Sequence, residues 1–164
     1  MLSPKVTLKR RRRPSSKPQP APAAKKESED SKTVVVDQQN QGDYATITEA
    51  LEAVESGATI LVKPGLYQES LVIDKPVEII GDGEQSEIIV EVIEDSDKPV
   101  VLFQADTGKI ANLTLHQFGC RYQDYGVDIR TGSLELEDCD ISSKGGSCVN
   151  IGSDAEPVLR RNRI

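Results

Sequence analysis

The 164-residue chain has no run of about 18 apolar residues, so no segment is expected to cross a bilayer as a helix. Its basic N-terminus, MLSPKVTLKRRRRPSSKPQP, is followed by neither an apolar core nor a small-residue cleavage site, which argues against a secretory signal. Cysteine is sparse and odd in number. Cys120, Cys139 and Cys148 lack the density of a disulfide framework and the spacing of a metal site, and they read as reduced thiols in a cytoplasmic setting. The single histidine, His116, has no His, Cys or carboxylate at ligand spacing and reads as structural or exposed. Gly81-Asp-Gly83 and Gly145-Gly146 are turn glycines without the strand, loop and helix that a phosphate cradle needs, so no nucleotide and no other cofactor is expected.

Charge is present but divided. Residues 1–33 hold 10 of the 20 Lys/Arg and 3 of the 27 Asp/Glu, a net of +7, which leaves residues 34–164 at −14. An acidic body is a poor partner for nucleic acid, because phosphates are held by clustered Lys/Arg. The first 33 residues are rich in Pro, Ser, Ala and Lys, with almost no large apolar side chain after Leu8. Such a segment is expected to be a disordered tail. Within it, Lys9-Arg-Arg-Arg-Arg13 has the form of a polyanion contact or, in a eukaryotic cell, a nuclear-import signal; the plain alternative is a solubilising tail.

The body, residues 34–164, opens with the strand-like Val34-Val-Val36 and a polar turn. One helix follows: Ile47, Ala50, Leu51 and Val54 share one face, Thr46 and Glu49 form a capping box, and Gly57 sits where a helix stops. Thereafter the chain is short β-branched runs punctuated by Gly, Asp and Pro: 59–62, 70–73, 77–80, 87–90, 100–103 and 109–115. The runs repeat. Ile110-x-x-Leu113-x-Leu115, Leu136-x-x-Cys139-x-Ile141 and Leu159-x-x-Asn162-x-Ile164 share a template, and Val127-Asp-Ile129 recurs as Val149-Asn-Ile151. A period of 22 to 26 residues made of strands and turns is one coil of a parallel β-helix. In that fold Cys139 lies in an inward ladder between Leu113 and Asn162. The helix, through Ile47, Ala50, Leu51 and Val54, covers the open end of the first coil.

Three segments in order, Gly42-Asp-Tyr-Ala-Thr-Ile-Thr-Glu-Ala-Leu51, Ile60-Leu-Val-Lys-Pro-Gly-Leu-Tyr-Gln-Glu69 and Val77-Glu-Ile-Ile-Gly-Asp-Gly83, resemble the N-terminal part of the pectin-lyase-like superfamily, pectin methylesterases above all. The resemblance implies an all-β, right-handed parallel β-helix with an N-terminal capping helix. It does not carry the esterase chemistry. The family's Q-A-V-A-L-R segment is replaced by Tyr125-Gly-Val-Asp-Ile-Arg130, which puts Tyr125 in place of the oxyanion glutamine. Its Q-D-T segment falls near Gly146-Ser-Cys148, where no aspartate stands. No catalytic residue is therefore assigned. Pro157-Val-Leu-Arg-Arg-Asn-Arg-Ile164 is similar to the coils of β-helix repeat proteins, whose resemblance implies carbohydrate binding or an interaction scaffold. The chain stops inside a strand, as a fragment of a longer stack would.

Tyr122, Asp124, Tyr125, Asp128 and Arg130 gather aromatic and charged groups on one side of a coil, the composition of a carbohydrate-facing patch; the plain alternative is a solvated turn with an ordinary ion pair. Glu135, Glu137, Asp138 and Asp140 form an acidic outward face without the fixed turn glycine of a calcium loop, so no metal is expected. The function that follows is a non-catalytic module binding a polysaccharide or another protein. The alternative is part of a carbohydrate-active enzyme, esterase or lyase, with catalytic residues beyond position 164.

Overall fold

The computed structural model describes residues 32–93 and 97–164. The expected tail and its Lys9–Arg13 cluster lie outside the described residues.

Strand β1 (Thr33–Val36) and helix α1 (Ile47–Ala53) precede the first full turn, which comprises β2 (Ala58–Val62), β3 (Gly65–Tyr67) and β4 (Leu71–Ile73). The second turn comprises β5 (Val77–Gly81), β6 (Ile88–Val92) and β7 (Val101–Phe103). The third runs from β8 (Thr107–Ala111) through β9 (Thr114–Gln117) into the first part of β10 (Val127–Glu137). The rest of β10, β11 (Asp140–Ser143) and β12 (Val149–Ala155) make the fourth, and β13 (Val158–Arg160) begins the next. The result is a parallel β-solenoid of about five turns.

Three faces stack in parallel register. The first is β1-β2-β5-β8-β10-β13. The second is β3-β6-β9-β11, and the third β4-β7-β10-β12. Period-2 alternation along each strand sends every second side chain inward. Successive coils therefore align like with like: Val34, Ile60, Ile79, Ile110 and Leu136 in one ladder, Tyr67, Val90, Leu115 and Ile141 in another, and Ile73, Phe103 and Ile129 in a third. All of these are buried. Each contributes roughly 1.5–3 kcal/mol of apolar transfer, the main driving force of the stack.

The repeat read from the sequence is the register of the structure. Ile110 pairs with Leu136, Leu136 with Leu159, and Val127 with Val149. Cys139 is fully buried. Asn162 closes that ladder: its Oδ1 accepts from the Cys139 amide at 2.9 Å and its Nδ2 donates to the Leu136 carbonyl at 2.8 Å.

Two expectations need correction. The run 109–115 is not one strand; it breaks between β8 and β9, because Asn112 takes a left-handed backbone (φ 59°) that Asn tolerates and that turns the chain to the next face. Asp138 (φ 52°) and Arg161 (φ 51°) make the same bend on later coils. Gly65–Tyr67, which lies outside the six runs read as strands, is a strand that founds the second face.

Candidate functional site

Residues 42–51, 60–69 and 77–83 are assembled into a lock on the first coil. Asp43 accepts the Val35 amide at 2.8 Å, and Tyr44 bridges to Val36, which folds the polar turn back onto β1. Thr46 caps α1 by accepting the Glu49 amide at 3.2 Å. Ile47, Ala50, Leu51 and Val54 are buried in the core cluster together with the strands of the first coil. Glu69, the last residue of the Gly65-Leu-Tyr-Gln-Glu69 corner, reaches back to the helix start. Its carboxylate accepts the amides of Ile47 (3.0 Å) and Thr48 (2.8 Å) and the Thr48 hydroxyl. Those amides have no partner within the helix, and a negative charge there also opposes the helix dipole, so one side chain ties coil to cap.

Tyr67 is buried, and its hydroxyl donates to the Lys63 carbonyl at 2.9 Å. Burial, with Asp37 and Glu69 nearby, pushes its phenol up to about 12, so it remains a neutral donor. The Gly81-Asp-Gly83 turn is explained by Asn112, whose Nδ2 donates to the carbonyls of Gly81 (2.9 Å) and Gly83 (2.8 Å). A Cβ at Gly81 would overlap the Asn112 carbonyl oxygen, so only glycine fits. The three motifs thus act on backbone and core.

The acidic outward face is occupied by cations from neighbouring coils. Lys109 Nζ lies 2.7 Å from Glu137 and 3.8 Å from Glu135, and Arg160 lies 3.4 Å from Glu135. Arg161 spans Asp138, at 2.8 Å from its Nε, and Glu137; Arg163 lies 3.6 Å from Asp140. Among the described residues, the acidic groups that might have faced a hard cation are thus ion-paired. Lys109 and then Arg161 hold the Glu137 carboxyl below its ordinary 4.5, and Arg161 holds Asp138 below 3.8. Both folded values are depressed, so this contribution is present above the ordinary carboxylate range and is lost as pH falls through the lower folded values. The thermal midpoint should therefore decline below about pH 4.5. The decline should be shallower in Arg161→Gln, and added salt should reduce it in the unsubstituted protein. Differential scanning at stepped pH measures this.

The five residues proposed as a carbohydrate patch are not equivalent. Tyr122 is 85% exposed, in the loop between β9 and β10, and Tyr125 is half-buried. Asp124 is turned inside: it is wholly buried, its Oδ2 accepts the Arg121 amide at 2.7 Å, and its Oδ1 has no hydrogen-bond partner among the described residues. Arg130 is exposed on the third face, whereas Asp128, which alternation also sends to that side, is itself buried at 6% exposure. Asp128 Oδ1 accepts from Asn150 Nδ2 at 2.8 Å, one coil on, and its Oδ2 accepts from Arg130 Nε at 3.2 Å. Asn150 was missed from the sequence, although it stands in the repeat that pairs Val127-Asp-Ile129 with Val149-Asn-Ile151. The loop before β12 packs against the loop before β10: a Cβ at Gly146 would press on the Tyr122 carbonyl and the Tyr125 ring. Residues 125–130 and 146–148 are neighbours, since Gly126 and Val127 donate to the carbonyls of Ser147 and Cys148. They carry Tyr125 and Gly146-Ser-Cys148.

Burial pushes the Cys139 thiol up to about 11, which removes its thiolate at neutral pH. His116 stacks edge-on against Phe118, with ring centroids 5.7 Å apart, and Lys144 sits over the same Phe118 ring. Among the described residues, no helix is long and apolar enough to cross a membrane.

What the fold and its outer faces define is a β-solenoid scaffold. Within that class, comparison with models of known protein families and with curated proteins finds no match for this chain.

Proposed function

We propose that the chain is a non-catalytic β-helix module that binds a polysaccharide along the outside of its third face, in the manner of the β-helix repeat proteins its motifs resemble. The observation that carries this reading is the exposed Arg130 and half-buried Asn150 of neighbouring coils, both held in place by hydrogen bonds to the buried Asp128 carboxylate beneath them. The loop leading into β10 supplies an exposed tyrosine, Tyr122, and a half-buried one, Tyr125. Sugar hydroxyls pair with fixed guanidinium and amide groups, while the apolar face of a pyranose ring rests on an aromatic surface. Asp124 and Asp128 shape and hold the patch rather than touch a ligand, because both are buried.

Glycan-array screening of the full chain, followed by calorimetric titration of the best ligand, tests the assignment. Tyr122→Ala should weaken that ligand about tenfold, corresponding to roughly 1.4 kcal/mol. Arg130→Ala should weaken it by a similar factor in a chain that still folds, with a somewhat lower thermal midpoint because the buried Asp128 carboxylate loses a partner. Protein partners captured in place of glycans, with affinity insensitive to Tyr122 and Arg130, would replace the polysaccharide by a protein ligand. Binding to neither would remove the proposal.

A further inference from the structure

A groove of about 390 Å³ runs between α1 and the exposed side of β4, and nothing in the described fold fills it. Its floor is apolar: Leu51 lies at the bottom, and Val72, on the outside of the third face, is 48% exposed. Its rim carries Glu52 and Asp74, both exposed and without an ion-pair partner among the described residues. The one cation on the rim, Lys75, has its Nζ donated to the Val54 carbonyl at 2.7 Å. Glu49 and Glu55, also exposed on the helix segment, extend the negative charge along the cap. The groove therefore suits an occupant that is both apolar and cationic.

We infer that this groove is the docking site for the chain's own N-terminal segment, residues 1–13. That segment, MLSPKVTLKRRRR, interleaves Leu2, Val6 and Leu8 with Lys5 and the Lys9–Arg13 cluster, so it matches the floor with apolar side chains and the rim with cations. The charge complementarity is general as well as local, since residues 1–33 carry +7 against −14 for the body. The covalent connection favours this occupant over a free peptide. The chain joins the body at β1, which packs against α1, so the segment is tethered at the end of the solenoid where the groove lies. A tether of about 20 residues raises the local concentration of a segment attached to it to the millimolar range. Contacts too weak to hold a free peptide are then populated. Docked, the segment covers Val72 and shields the Lys9–Arg13 cluster from external polyanions, so high ionic strength or a competing polyanion releases it.

Zero-length carbodiimide coupling of the full chain, which joins a lysine only to a carboxylate in contact with it, tests the assignment by peptide mass analysis. The expected products are intramolecular links from Lys5 or Lys9 to Glu52 or Asp74. Their yield should not change on tenfold dilution, and it should fall several-fold in about 0.5 M salt. The variant carrying Glu52→Gln and Asp74→Asn, whose side chains are exposed and whose fold should be intact by thermal midpoint, should lose them. Links from Lys5 and Lys9 scattered over the body's carboxylates would overturn the inference, as would links between chains that fade on dilution, which would make a second copy the occupant. Absence of any link from these two lysines would overturn it equally.

Discussion

Leu51→Asp should unfold the N-terminal coils. Leu51 is 5% exposed within the cluster formed by the cap and the first strands. The substitution removes a buried leucine and places a carboxylate in the core, where the nearby cation, Lys75, is already held on the Val54 carbonyl. The combined loss is about 4–6 kcal/mol, a large share of what a domain of this size has. The thermal midpoint should fall by on the order of 15 °C, and the soluble fraction should fall with it as the edge of β1 and the apolar interior are exposed. Leu51→Met keeps volume and polarity and should cost less than about 1.5 kcal/mol. A Leu51→Asp protein melting at the same temperature as the parent would mean that α1 does not cover the stack.

Glu69→Ala should produce the second largest loss, although the residue lies outside the helix it stabilises. Removing the carboxylate leaves the amides of Ile47 and Thr48 and the Thr48 hydroxyl without their acceptor in a half-buried setting. Charge-assisted bonds of this kind are worth about 1.5–3 kcal/mol each when one partner is removed, offset in part by water reaching the helix start, so the net loss should be about 2–4 kcal/mol. Glu69→Gln retains an acceptor of the same shape but not the charge opposing the helix dipole, and it should recover roughly half of that loss. Chemical denaturation of the two variants beside the parent measures the difference.

The parts of the fold that could be read from the sequence were those in which neighbouring coils have nearly equal length. Ile110, Leu136 and Leu159 stand 26 and 23 residues apart and pair directly, as do Val127 and Val149. In the first half the same inward ladder passes from Ile60 to Ile79 and then to Ile110, steps of 19 and 31 residues, because the excursions between β5 and β6 and between β6 and β7 fall within the second coil. Periodicity is invisible there, although the pairing is as regular as elsewhere. The break at Asn112 was hidden for another reason: Lys109 to Leu115 has the composition of one strand, and only the left-handed backbone of Asn112 divides it. The candidate patch was recognisable by residue type but not by direction. Alternation along β10 sends Asp128 and Arg130 outward, whereas Asp124 sits in a loop, where alternation says nothing, and it is turned inside. Glu69 could be seen only as part of a motif; its partner lies 21 and 22 residues earlier on another element, and no local pattern connects them.

The central claim is that residues 42–51, 60–69 and 77–83 close and lock the first coil of a stack. Amide hydrogen exchange of Glu69→Ala against the parent tests it most directly, because a solenoid transmits a disturbance only from neighbour to neighbour. Protection should be lost most in β1, α1 and β2, less in β5, and little by β10. Uniform loss across all coils, or unaltered protection in β1 and β2, would contradict the account.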